Sequence, residues 1–452
     1  MAGMSVDGLV SGLDTTSLIT QLVQAEAAPQ AQLRTKLSTT TASATAYRAV
    51  NTRFDAVRTA AEALTKAEIW SSAKATSSSS TVTAAVGTMP QTGSVTFSVT
   101  QLAAVHSVHS RGTWSTTTAD FGATSVSVTA GGTTTAVALD TDGNGTATLA
   151  EAAAAINKKT VLGLTATVLQ TGPSQYRLQV ATKTSGQAGS FSLSGSGPVF
   201  DDLTKGQDAK LRVGSTTSGF DVLSTTNTFS DLIPGSTITV TKADANTPVT
   251  VDVASDPQAV AGKVKTLVDA VNNALSGVKT YTAADGGPTA VLKGDSGLSA
   301  LATSLRSAMS FGVGDDGSPN RAGIQLNKDG TVAFDQEKFV AALKADPGLA
   351  RRIVDGTPAA GSTAAVPGVA GRVLELATKA TDATTGTLTM LAKGRDTLAK
   401  DIQTRIDAWD LRLAQRKQTL TRQFTAMETA LSSMKNQSNW LAGQIASLPS
   451  SS

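Results

Sequence analysis

Toward the C-terminus apolar residues return every seven positions: Ile406, Leu413, Leu420, Met427, Met434, Leu441 and Leu448, with no polar residue interrupting the series. A second seam runs beside it through Trp409, Phe424, Leu431 and Ile445, offset by three or four. Side chains so spaced stack on one side of a helix, and a sustained heptad marks a helix that packs lengthwise on another. One unbroken helix over 406–448 would span about 65 Å. It cannot bury its stripe alone. The matching stripe lies at the other end of the chain, where Leu33, Leu37, Thr40, Ala44, Tyr47, Val50, Phe54, Val57, Ala61 and Leu64 alternate in threes and fours. Before it, Leu18, Ile19, Leu22 and Val23 form a short amphipathic run, with Asp14 placed to cap it and Pro29 to break or re-phase it. So short a segment is marginal by itself and is expected to be disordered until it meets neighbouring subunits.

Between these ends the period falls to two. Val95, Phe97 and Val99 alternate with Thr96, Ser98 and Thr100, a strand pattern. The run SSAKATSSSST after Trp70 reads as a boundary of small polar residues. Strands are predicted around Val126–Val128, Val137–Leu139, Leu164–Leu169, Tyr176–Val180, Ala209–Val213, Ser236–Thr241 and Val249–Val253, with a helix at Leu149–Lys158. Helical periodicity returns after Asp256-Pro257, and Gly323–Phe334 reads as a hairpin turning at Lys328-Asp329-Gly330. The fold class is α+β multidomain: long terminal helices forming a coiled-coil or helical-bundle rod, with inserted β-rich head domains. The expected division is 1–40 (N-terminal leg segment), 41–75 (first half of a helical domain), 76–110 with 206–255 (first β-rich domain), 111–205 (inserted β-rich domain), 256–405 (second half of the helical domain) and 406–452 (C-terminal leg).

Composition narrows the chemistry. The 452 residues carry a net charge of only +3 and no Cys, so disulfides and thiolate chemistry are excluded and nucleic acid has no support. From Gly371 onward 11 Lys or Arg accompany 7 Asp or Glu, a basic excess on the terminal helix. No apolar window is long enough to span a membrane. Met1–Val10 lacks the basic start and apolar core of a cleaved secretory signal.

Several blocks, in order, carry a family resemblance: GLVSGLDTTSLITQLVQAEAAPQAQL near the start, VTQLAAVHSVHS, VLKGDSGLSALATSLRSAM, GIQLNKDGTVAFDQEKFVAALKADP, and RKQTLTRQFTAMETALSSMKNQSNWL near the end. Together they resemble the bacterial flagellar filament-cap family, also called hook-associated protein 2. Residues 121–194 resemble the small β module shared by flagellins and hook-associated proteins. The resemblance implies a chain exported unfolded by the flagellar type III system, without a cleaved signal. It implies assembly as a ring-shaped, pentamer-like homo-oligomer at the distal tip of the flagellum, outside the cell, where arriving flagellin folds and polymerises. The implied partners are other copies of itself, flagellin, the hook–filament junction protein and an export chaperone, with no nucleic acid and no membrane insertion. Leu13, Leu18, Leu22, Leu33, Leu37, Tyr47, Phe54, Ile406, Trp409, Leu413, Leu420, Phe424, Met427, Leu431, Met434, Leu441 and Ile445 are the expected assembly residues.

Other chemistry is weaker. Asp140, Asp142, Asn144, Gly145, Thr146 and Glu151 match the twelve-residue calcium loop at most ligand positions, yet a strand precedes the loop where a helix belongs. The alternative is a strand-to-helix connection capped by Thr148, so no metal is assigned and the expected cofactor is none. His106 and His109 are the only histidines, and odd spacing on a strand separates them. The Gly294-Asp295-Ser296-Gly297 run resembles a serine-nucleophile motif but heads an amphipathic helix and reads as its cap. No catalytic constellation is present, so an enzyme is not expected. Two further readings stay open, another flagellar axial protein (junction protein or flagellin variant) and a surface adhesin.

Overall fold

The computed structural model describes residues 12–215, 217–360 and 364–446. Leu448 and Met1–Val10 lie outside them. Two compact units emerge, Met1–Lys66 with Ala261–Ser452, and Ala67–Val260.

The first unit is helical. Its chain ends supply α1 (Thr15–Glu26), α2 (Ala28–Leu64) and the sixty-residue terminal helix Thr387–Ala446. Asp14 caps α1, accepting the Ser17 N–H at 2.8 Å, and Pro29 sits in the first turn of α2, so proline re-phases the chain rather than ending it. Residues 15–40 are therefore helical, where a disordered segment was expected. Thr15 and Ile19 are buried on a helix that packs against the terminal one, which supplies what an isolated segment lacks. The divisions expected at 40/41 and 405/406 both fall inside continuous helices. Along α2, Tyr47, Val50, Phe54, Val57, Ala61 and Leu64 are almost wholly buried, and the helix packs both on the terminal helix and on the helix Val369–Thr381. The latter turns Ala370, Val373, Ala377 and Ala380 inward, and such small side chains let helix axes approach closely. Helix Pro257–Thr282 buries Val264, Leu267, Val271 and Leu275. Its Asn272 clamps the hairpin Ile324–Leu326/Val332–Phe334, exchanging two 2.8 Å bonds with the Val332 backbone.

The second unit holds two β cores. One sets a five-stranded sheet, in the order Ala73–Ser77, Asp244–Ser255, Gly93–Gln101, Ala209–Val213, Phe220–Ser224, against Thr228–Ser230, Ser236–Val240 and Val82–Val86, around Phe97, Leu211, Phe229 and Ile238. The other, built wholly from residues between Gln101 and Ala209, closes two sheets and the helix Leu149–Lys158 over Val128, Leu139, Leu149, Ile156 and Leu178. Two details differ from the sequence reading. The polar run taken as a boundary contains the edge strand Ala73–Ser77, paired with Val251–Ser255, because Ser and Thr suffice where one face stays wet. Strand Val105–Ser110, expected in the first β domain, pairs with Phe200–Thr204 and Gln175–Ser185 of the inserted one. Alternation alone fixes a strand's faces, not its neighbours.

Candidate functional site

The two chain ends meet as an antiparallel pair of helices. Glu26 bonds Arg416 at 2.9 Å, Gln30 bonds Asp410 at 2.6 Å, Arg34 lies 3.6 Å from Asp410, and Arg48 pairs with Asp396. As one partner number rises the other falls, which sets direction and register. The ion pairs among these are exposed and specify alignment more than they stabilise it, whereas Gln30 is itself buried. Stability comes from the seam, where Ile402, Ile406 and Leu420 are buried against α1 and α2.

Burial is not uniform along the expected assembly residues. Tyr47, Phe54 and Ile406 are 1%, 0% and 3% exposed and belong to the core of the helical unit. Leu33, Leu37, Trp409, Leu413, Phe424 and Leu431 are partly buried along the pair, and Leu420 is buried. Leu13, just before α1, and Leu18 and Leu22 on it are exposed, and Met427 is exposed at 37%, the same as Leu18. Past the partly buried Leu431 the stripe is bare: Met434, Leu441 and Ile445 are 64%, 54% and 63% exposed. Trp440, which the seven-residue count passes over, is 65% exposed beside them. Its signal was available, since a large aromatic next to Leu441 widens an already apolar stripe. One continuous heptad thus divides into a covered length that builds the unit and a bare length presented outward.

The acidic loop of the second unit is shaped by local hydrogen bonds. Asp140 accepts the N–H groups of Gly143 and Gly145 at 2.7 and 2.9 Å, which holds its carboxyl below the usual carboxylate range. Thr148 and Glu151 form a reciprocal capping box at the start of the helix, and these bonds likewise lower the Glu151 carboxyl. Carboxylate oxygens of Asp140, Asp142 and Glu151 lie within 4.8 Å of one another. They are the residues that could hold a hard cation, and Asp140 and Glu151 each also accept hydrogen bonds from local donors.

His106 is 6% exposed, accepts the Phe191 N–H at its Nδ1 and contacts Asp202 through Nε2 at 3.1 Å, so the ring is a structural tie between strands. In the helical unit Asp295 caps the helix Ser296–Ser310 through the Leu298 N–H at 2.9 Å, which accounts for the glycine-flanked Asp-Ser pair.

Comparison with known proteins returns one family from both ends of the chain. Residues 11–106 match the flagellar hook-associated protein 2 N-terminus, and residues 206–436 match its C-terminus. The A-type flagellar hook-associated protein 2 of Pseudomonas aeruginosa is 30% identical over 98% of both chains, and flagellar hook-associated protein 2 of Escherichia coli K12 is 26% identical over 98% of both. Among solved structures, the D1-D2-D3 domains of the flagellar cap protein FliD from Escherichia coli share the fold with a TM-score of 0.63 at 22% identity. They cover 78% of this chain and 99% of theirs.

Proposed function

The chain belongs to the flagellar hook-associated protein 2 family, and from that premise we propose which of its parts do the capping. It is a filament-capping protein, an oligomeric flagellar component that lies outside the cell at the flagellum tip. The alternatives of a junction protein, a flagellin variant or a separate adhesin are not favoured, since the matches at both ends fall to one family.

Within that role the paired terminal helices are the working contact. One observation carries this: a single apolar seam covered at Ile406 and Leu420 and bare at Met434, Leu441 and Ile445. A helix keeps a regular heptad over a stretch its own fold leaves exposed when another helix completes the packing. The partner that fits is flagellin, held at the tip while it folds and joins. The β-rich unit would form the plate of a pentamer-like ring over the filament end. A type III export route, an export chaperone and a first seat on the hook–filament junction protein complete the reading. A Cys-free chain with no disulfide to break or re-form during passage supports it.

The test is clean deletion followed by assay of the culture fluid and electron microscopy. Hooks without filaments, with unpolymerised flagellin in the medium, and filament growth restored by adding the purified protein from outside are expected. Normal filaments in the deletion strain would refute the role.

A further inference from the structure

The two flanks of the terminal helix pair differ in electrostatics. On one, charges are matched: Glu26 with Arg416, and Asp410 with Arg34, the Gln30 amide also donating to Asp410. On the other, an open groove of about 550 Å³ runs between α2 and the terminal helix, lined by Pro29, Leu33, Lys36, Arg405, Trp409 and Arg412. Its floor is the half-buried Trp409 ring beside Leu33, with the Arg412 guanidinium 4.5 Å above the ring centroid. Lys36, Arg405 and Arg412 are exposed, and none of the three makes an ion pair among the described residues. Three cations therefore converge on an apolar, aromatic floor with no carboxylate among the lining residues.

We propose that this groove is a docking site for a carboxylate-bearing amphipathic helix of a protein other than this chain. The groove runs lengthwise between two helices, the geometry that accepts a third. Its floor calls for one large apolar side chain and its walls for flanking Asp or Glu, which helices present together at spacings of three and four. A second copy fits poorly, because its terminal helix carries the same basic excess, 9 Lys or Arg against 5 Asp or Glu over Thr387–Ala446. The inference goes beyond the capping role and does not depend on it, since the groove lies beside the covered part of the seam.

The test uses the purified full chain and two labelled, Ala-based helical peptides. One carries Glu around a central Leu; the other carries Lys at the same positions. Fluorescence anisotropy reads binding at low and high salt. The Glu peptide should bind, weaken as salt rises, and lose about ten-fold or more in affinity to Arg405→Glu/Arg412→Glu, while Arg412→Lys keeps most of it. Both arginines are exposed, so the doubly reversed chain should keep its far-ultraviolet spectrum and melting temperature. Equal binding of the Glu and Lys peptides, no binding of either, or binding indifferent to the reversal would overturn the proposal. So would sedimentation showing that the reversal abolishes self-association while the Glu peptide fails to bind, which would give the groove to a second copy.

Discussion

The Tyr47 hydroxyl donates to the Asp295 carboxylate, joining the middle of α2 to the cap of a helix almost two hundred and fifty residues later in the chain. Asp295 also accepts the Leu298 N–H, so one carboxylate ends a helix and anchors another. Burial, then the bond to Asp295, pushes the Tyr47 hydroxyl above its usual range, with Arg395 opposing. A raised folded value means that the native state holds this proton more tightly. Its stabilisation is present below the ordinary tyrosine range and is lost as pH rises through the folded value. Tyr47→Phe should cost about 1–2 kcal/mol in the helical unit and flatten the alkaline limb of its stability. Asp295→Ala should cost more, since the cap goes too. Denaturant unfolding of the full chain between neutral and alkaline pH measures both. Equal alkaline limbs in wild type and Tyr47→Phe would refute the assignment.

Gly277 lies where a Cβ would collide with the Arg53 side chain, at its Cδ as well as its guanidinium. Gly277→Ala should therefore destabilise the helical unit by about 1–3 kcal/mol despite the better helix propensity of Ala. In Arg53→Ala the same change should be neutral or stabilising, and the double-mutant cycle isolates the clash. Additivity of the two changes would contradict it.

The acidic loop makes a third prediction. Asp140 and Glu151 have folded values below their ordinary ones, so their contribution is present above the unfolded range and lost as pH falls through the folded values. Thr148→Ala should cost about 1 kcal/mol, and Asp140→Asn should reduce the loss of melting temperature between neutral pH and pH about 3. Calcium should leave the neutral melting temperature where it was, because backbone donors on Asp140 and the capping box at Glu151 already hold the loop in shape. A rise of several degrees on adding calcium, reversed by chelator, would return the loop to the cation.

The terminal helix separates stability from assembly. Ile406→Ala should cost about 2–5 kcal/mol, as a buried side chain does. Met434→Asp should leave melting unchanged, being 64% exposed, and yet remove capping. Met427→Asp, at the transition between the covered and bare lengths, should abolish capping while the β cores stay folded. A motile strain carrying Met427→Asp would count against the idea.

Much of this was legible in the residues. The heptad from Ile406, the stripe from Leu33 to Leu64 and the capped helix at Leu149–Lys158 follow from periodicity and cap chemistry, both local. What the sequence could not yield was non-local. Strand Val105–Ser110 has the right alternation for either β core, and only packing assigns it to the inserted one. The heptad is equally regular at Ile406 and Met434, so the division between buried and bare depends on where α1 and α2 lie along it. Lys36 and Arg405, far apart in the chain, become one groove only once the register of the helix pair is set.

The most direct measurement adds purified protein to a deletion strain and scores filament growth. Wild type and the control Leu169→Asp, an exposed site on the β-rich unit, should restore filaments, whereas Met434→Asp/Leu441→Asp should not, although its melting curve matches wild type. Full restoration by the doubly substituted chain would show that the bare seam does not carry the filament contact.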